Sequence, residues 1–301
     1  MSKFINIGDP HIRLTAPRSR NDNIKEVFED KFNQINELAK RENVDYILCN
    51  GDLFDRANCN VETLSFVEKL IKLLEFDVIL SVGNHSLIGN TMNNFEKSMI
   101  YLLDRLCDNL IILRENNSLE LDDCILHFNH YGNDNFIIDD LNESKPNIIV
   151  SHSMIVKEKE FFTCISAEDI ETNADLILNG HNHSYFQVGK VLNIGALVRL
   201  TTSKGDMDRE VRVAILSVAD KNIDIKEVKL NISDYKEVFD VKQVMKKKDI
   251  LSEAMLGKLN DSIKQISSVK DILSIVMKDE VYDKEDLSLL QDYLGDDILW
   301  D

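Results

Sequence analysis

Three short runs of β-branched and apolar residues, Phe4–Ile7, Tyr46–Cys49 and Val78–Val82, are separated by two stretches of helical periodicity. In the first stretch Ile24, Val27, Phe28, Phe32, Ile35 and Leu38 recur every three or four residues; in the second, Leu64, Val67, Leu70, Ile71 and Leu74 do so. Each stretch has one apolar face, which suits a helix laid across a sheet. Strand, helix, strand, helix, strand at this spacing is the parallel crossover pattern, because parallel neighbours need a long covering connection. The chain is therefore expected to be an α/β protein built in layers. Further strands are predicted at Leu110–Leu113, Ile125–Phe128, Ile148–Val150, Leu176–Leu178, Val191–Ile194, Val211–Val218 and Ile223–Val228. These later strands are joined by turn signals instead of helices, which predicts that part of the architecture is antiparallel.

Composition narrows the class. Hydrophobic residues make up 44% of 301 residues, enough for a sizeable core. No run reaches the roughly 18–20 apolar residues of a membrane helix. The opening residues Met1 to Asn6 lack the apolar stretch of a secretory signal. Five scattered cysteines without a CxxC pair fit reduced thiols, so a cytoplasmic location and no membrane partner are expected. With 35 Lys+Arg against 53 Asp+Glu, the net charge is −18, which argues against coating nucleic acid by bulk electrostatics. Composition shifts near Asn231. Residues 1–230 read as one large domain, and 231–301 as a small helical appendage with a stripe at Leu251, Met255, Leu259, Ile263 and Ile266.

Five short motifs follow predicted strands: Asp9-Pro10-His11, Gly51-Asp52-Leu53-Phe54-Asp55-Arg56, Gly83-Asn84-His85, Ser151-His152 and Gly180-His181-Asn182-His183. In open α/β sheets ligands bind outside the carboxyl ends of strands, so these motifs aim at one crevice. Imidazoles, carboxylates and an amide oxygen make a mixed nitrogen and oxygen shell suited to divalent ions. Asp9 and His11, two apart in an extended chain, can point to one side. Asp52 can bridge two metals about 3.5–4 Å apart, the spacing of two-metal phosphoester sites. His127 and His130 match no motif and are read as ordinary structural histidines. Asp22 and Asn23 read as helix-capping residues before Ile24.

Taken in this order, the motifs D-x-H, G-D-x-x-D-R, G-N-H, S-H and G-H-x-H resemble the calcineurin-like metallophosphoesterase superfamily. Gly51-Asp52-Leu53-Phe54-Asp55 and Asn193-Ile194-Gly195-Ala196-Leu197-Val198-Arg199 resemble its SbcD branch, the nuclease subunit of the SbcCD DNA-repair complex, especially phage-encoded versions acting in a host cytoplasm. The resemblance covers residues 1–230. It implies a layered sandwich of mixed β-sheets flanked by helices. It implies one metal held by Asp9, His11, Asp52 and His183, and a second held by Asp52, Asn84, His152 and His181. Manganese is the first expectation, with magnesium, iron or zinc as alternatives. His85 matches the non-ligand histidine that faces the scissile phosphate, Asp55 the carboxylate that orients it, and Arg56 a phosphate contact. The family's third motif usually continues with Asp or Glu, where this chain has Ser86.

Arg13, Arg18 and Arg20 form a local basic cluster in an acidic chain and are read as contacts to a DNA backbone. The resemblance further implies that the C-terminal helices dock the coiled coil of an SbcC-like ATPase, and a homodimer is a further expected assembly. A DNA nuclease is thus the leading expectation. The alternatives are a phosphomonoesterase or cyclic-nucleotide phosphodiesterase on the same metals, and a non-catalytic binding subunit.

Overall fold

A computed structural model describes residues 1–16, 20–114, 117–158, 164–201 and 204–240. Its first sheet is built on β1 (Ser2–Ile7), β2 (Tyr46–Cys49), β3 (Asp77–Leu80) and β4 (Leu110–Ile111), all parallel. Along β1 the side chains alternate between two interiors. Phe4 joins Leu48 and Ile79 in a core between the sheets, whereas Ile5 and Ile7 face the helices. Both faces are covered, which is why these strands read as nearly continuous apolar runs.

The helices α1 (Ile24–Glu42) and α2 (Val61–Leu73) supply the cover, through Phe28, Phe32 and Ile35 from the first and Val67, Leu70 and Ile71 from the second. As expected, Asn23 caps α1, its side chain accepting from the Lys25 amide at 3.1 Å. Asp22 instead pairs with Arg20. The third helix, α3 (Met99–Leu106), follows a run of 3₁₀ turns through residues 84–97.

The second sheet has the order β11 (Phe186–Val188), β12 (Val191–Asn193), β10 (Leu176–Asn179), β7 (Asn147–Ser151), β6 (Ile125–Asn129) and β5 (Ser118–Glu120). Its outermost pairs are antiparallel, as are β13 (Arg212–Ala219) and β14 (Asn222–Lys229) at the edge of the first sheet. The expected antiparallel part is confined to these edges. The central strands β6, β7, β10 and β12 run parallel, although among the described residues no α-helix joins them. Extended crossovers replace helices, with a short parallel pair β8 (Ile155–Val156) and β9 (Ile165–Ser166) between β7 and β10. Phe136, Ile155, Ala167 and Ala174 from these crossovers cover Ile149 and Ile177 on the outer face. Their backbone is satisfied locally: Asn173 accepts from the Ile138 amide and donates to its carbonyl.

The chain stays packed beyond residue 230. Val238 and Phe239 are buried, and the Arg20 guanidinium lies 5.4 Å from the Phe239 ring centroid. The predicted stripe from Leu251 to Ile266 lies outside the described residues. Among the described residues no helix is long and apolar enough to cross a membrane. The five cysteines are free thiols.

Candidate metal centre

Both sheets end their parallel strands at the same edge of the sandwich, and the five motifs leave from there. Asp9 and His11 follow β1, Asp52 follows β2, and Asn84 and His85 follow β3. From the other sheet, His152 follows β7, and His181 and His183 follow β10. The centre is therefore assembled across the sandwich, from residues 9 to 183 of the chain.

Three of these residues have left-handed backbone: His11 at φ 46°, Asp52 at φ 38° and His181 at φ 72°. Such conformations cost energy outside glycine and cluster at functional sites. Gly51, at φ 134°, has a second reason to be glycine. A Cβ there would lie 2.0 Å from His152 Nδ1.

Asp9, His11, Asp52 and His152 are buried. Asp52 Oδ2 lies 3.1 Å from His152 Nε2 and 3.6 Å from His11 Nε2, while Asp52 Oδ1 accepts from the His85 amide at 2.9 Å. His11 Nε2 and His183 Nε2 are 2.9 Å apart, and Asn84 Oδ1 is 3.3 Å from His152 Nε2. The His152 ring is oriented by its Nδ1, which donates to the Asn50 carbonyl at 2.8 Å. Asp9 Oδ2 accepts from the His181 amide at 2.7 Å, but buried Asp9 Oδ1 has no hydrogen-bond partner. A buried carboxylate oxygen left without a donor needs a cation or another partner. Asp9, His11 and His183 form one group whose ligand atoms lie within 4.8 Å of one another; Asp52, His152 and His181 form another. The donor set of imidazoles, carboxylates and one amide oxygen fits two divalent ions sharing Asp52.

Without an ion, electrostatics favours the ligating form of His11, His181 and Asp52, whereas His152 and Asp9 must give up a proton to a bound cation. Burial holds His11 and His181 well below the ordinary imidazole range, His181 at about 3. Burial would also push His152 down, but the charge and hydrogen bond of Asp52 outweigh it and raise it to about 9. Asp52 is held well below the usual carboxylate range: burial opposes this, and His152 and His11 prevail. Burial dominates Asp9 and pushes its carboxyl up.

These directions predict the stability of the chelated protein. For His11 and His181, whose folded pKa is depressed, stability present above about pH 6.5 is lost as pH falls, because the unfolded chain takes the proton first. For His152, whose folded pKa is raised, stability present below about pH 6.5 is lost as pH rises through about 9. In EDTA, melting temperature should fall on both sides, with the acid limb beginning near pH 6.5. An acid limb starting only in the carboxylate range would contradict the histidine assignment.

His85 belongs to the same cluster, within 4.8 Å of His11 and Asp52, yet unlike them it is exposed. Its Nδ1 faces the backbone carbonyl of Asp55 at 2.8 Å. This corrects the expectation that the Asp55 carboxylate orients His85. The backbone bond from the Asp55 amide to the Ile12 carbonyl, 3.2 Å, ties down this loop. The carboxylate turns instead towards Arg13 Nη1 at 3.5 Å and His11 Nδ1 at 3.9 Å.

The basic cluster also needs correction. Arg20 is buried; it pairs with Asp22 and donates to the Arg199 carbonyl, so it is unavailable to a substrate. Arg18 lies outside the described residues. Arg13 is half-buried beside Asp55, and Arg56 is 78% exposed with Nε 3.9 Å from Asp55. Arg20→Ala should therefore destabilise the protein by about 2–4 kcal/mol, as expected for deleting a buried, bonded charge. Because the Arg20 guanidinium is buried, the variant should leave the salt slope of any DNA binding unchanged. A reduced salt slope in that variant would restore Arg20 to the substrate surface.

Two features escaped sequence reasoning. The Tyr131 ring lies 5.6 Å from His181 and 6.3 Å from His152, although His130-Tyr131 matches no motif. Neighbouring His130 is structural, as expected: its ring nitrogens face the Val82 amide and the Leu113 carbonyl. The second feature is a series of buried asparagines at strand ends, whose only sequence signal is an Asn closing an apolar run.

The profile of the calcineurin-like phosphoesterases matches residues 2–185. No curated protein matches the chain in sequence. Among solved structures, an archaeal phosphodiesterase is similar at 16% identity, covering 76% of this chain and 99% of its own, with TM-score 0.38. The calcineurin-like phosphoesterase YfkN from Bacillus subtilis is similar at 13% identity over 76% of this chain and 90% of its own, TM-score 0.42. The nuclease MPE from Pseudomonas putida is similar at 16% identity over 51% of this chain and 62% of its own, TM-score 0.30. The sequence profile, spanning more than half of the residues and all five motifs, carries the assignment: the chain belongs to the calcineurin-like phosphoesterase family, metal-dependent hydrolases of phosphoesters with a dinuclear divalent centre.

Proposed function

We propose that this phosphoesterase hydrolyses the phosphodiester backbone of DNA, as an SbcD-like nuclease subunit in the cytoplasm, with Mn²⁺ as its working metal. The observation that carries the reading is the contrast between exposed His85 and the buried residues Asp9, His11, Asp52 and His152. The reactive edge lies at the surface, so a polymer strand can lie across it with chain continuing on both sides. Exposed Arg56 and half-buried Arg13 flank it through Asp55 and suit phosphates either side of the scissile one.

Bound divalent ions would polarise the phosphate and acidify a water towards neutrality. The first ion would be held by Asp9, His11, Asp52 and His183, the second by Asp52, Asn84, His152 and His181. His85, its Nδ1 donating to the Asp55 carbonyl, keeps Nε2 for the leaving oxygen and in its imidazolium form would pass that oxygen the proton it needs. Burial of His11 and His181 keeps them neutral and able to ligate near pH 7.

Purified protein with Mn²⁺ should cut linear DNA and bis-p-nitrophenyl phosphate well in excess of p-nitrophenyl phosphate. Hydrolysis of the monoester alone would overturn the DNA reading and favour a phosphomonoesterase. At −18 net charge the chain binds duplex weakly by itself, which supports a second subunit as the clamp. Because Val238 and Phe239 are part of the packed unit, truncation belongs after Asp240. That truncation should keep Mn²⁺-dependent cleavage and lose co-purification with an SbcC-like ATPase.

A further inference from the structure

Asn6, Asn50, Asn179 and Asn193 are all fully buried, and all sit at the carboxyl ends of strands that lead into the metal centre or border it. Their amides form one continuous chain across the sandwich. Asn6 and Asn50 bond reciprocally, Asn6 Nδ2 to Asn50 Oδ1 at 2.5 Å and Asn50 Nδ2 to Asn6 Oδ1 at 3.2 Å. Asn50 Nδ2 also donates to the Asn179 carbonyl in the other sheet at 2.9 Å. Asn179 takes hold of the residue after His152, accepting from the Ser153 amide at 3.2 Å and donating to the Ser153 carbonyl at 3.0 Å. It then donates to Asn193 Oδ1 at 2.8 Å.

The far end of this chain has the sharpest consequence. Asn193 Nδ2 donates to the carbonyls of Asn182 and Ser184, both at 2.6 Å. The Ala196 amide donates to the carbonyl of His183 between them, at 3.2 Å. Three successive carbonyls around His183 are thereby held by the end of β12 and the residues just after it, and two of the three depend on one side chain. Buried amides cost stability unless satisfied, and here every one is satisfied by a ligand-bearing loop or by the next asparagine.

We infer that Asn193 is a positioning residue for His183, and that the asparagine chain sets the distance between the ligands contributed by the two sheets. This rests on the two-metal reading above. Asn193 touches neither ion nor substrate. It acts by holding the His183 backbone where the ring reaches His11 and Asp9. Removing such a partner costs about 10- to 100-fold in metal affinity in sites of this kind. The loss should fall on one ion: the site with Asp9, His11 and His183 loosens, and the site with Asn84, His152 and His181 holds.

The test is Mn²⁺ calorimetry and electron paramagnetic resonance on the full chain, wild type beside Asn193→Ala. Wild type is expected to bind two ions and give a spin-coupled pair. The variant should bind one ion as before and the second about 10- to 100-fold more weakly. The coupled signal, together with kcat, should return at high Mn²⁺ with KM unchanged. A merely structural role would lower the melting point in EDTA and leave both affinities alone, which overturns the inference. Asn193→Asp, isosteric and still able to accept from Asn179, decides the matter if the alanine variant does not fold. It should show the same one-site loss; wild-type binding, or a second failure to fold, overturns the inference. No Mn²⁺ binding by the wild type overturns the metal reading itself.

Discussion

Asp52→Asn should lower the Mn²⁺ content from two ions to one or none and reduce phosphodiesterase turnover by at least about 10³, near 4 kcal/mol of transition-state stabilisation. The size follows from the contacts of both carboxylate oxygens. Oδ2 faces His152 Nε2 and His11 Nε2 at 3.1 and 3.6 Å, between the two ligand groups. Oδ1 accepts from the backbone amide of His85 at 2.9 Å. An asparagine amide cannot serve both sides. Either its NH₂ meets the His85 N–H donor to donor, or it turns to the metal side and removes both charge and ligand. Metal analysis beside a turnover assay checks the result, and full activity in this variant would remove Asp52 from its bridging role.

His85→Ala should lower turnover by about 10²–10⁴ while keeping two Mn²⁺ ions and DNA affinity, the loss usual for a missing general acid or base. Alanine retains the backbone N–H that Asp52 accepts, so the buried ligands keep their arrangement. The contrast with Asp55 is the sharper test. Since His85 Nδ1 bonds to the Asp55 carbonyl, Asp55→Asn should cost less than about tenfold in kcat. A loss in Asp55→Asn as large as that in His85→Ala would show that the carboxylate orients the imidazole after all. Loss of metal from His85→Ala would make His85 a ligand.

Elements whose pattern is set by burial were readable. β1, β2 and β3 are covered on both faces and announce themselves as apolar runs; α1 and α2 bury one stripe each. The candidate ligand residues stood out because metal chemistry restricts residue type and because each motif closes a strand, and the structure gathers Asp9, His11 and His183 into one group and Asp52, His152 and His181 into another. Four things were not. The parallel order of β6, β7, β10 and β12 rests on extended crossovers, whose apolar contacts at Phe136, Ile155 and Ala174 carry no period. The 3₁₀ turns between Asn84 and Lys97 have no amphipathic repeat either. Arg20 looked like a surface charge because its acceptor, the Arg199 carbonyl, is 179 residues away. The role of Asn193 depends on three-dimensional neighbours, and asparagine at a strand end reads as an ordinary turn residue.

The left-handed backbone at His11, Asp52 and His181 also limits how this centre can change its metal preference. Re-tuning a site for a softer or harder ion generally means exchanging ligand types, with cysteine or glutamate in place of histidine or aspartate. At these positions the exchange is constrained before any ion arrives. Asn, Asp and His are the non-glycine residues enriched at positive φ, whereas other side chains meet a penalty of roughly 1–2 kcal/mol there. The residue types proposed to coordinate here are thus also those the backbone tolerates. Adaptation to a different ion should proceed through neighbours such as Asn84 and His183, whose φ is not in that region, and leave the three candidate ligands with positive φ in place.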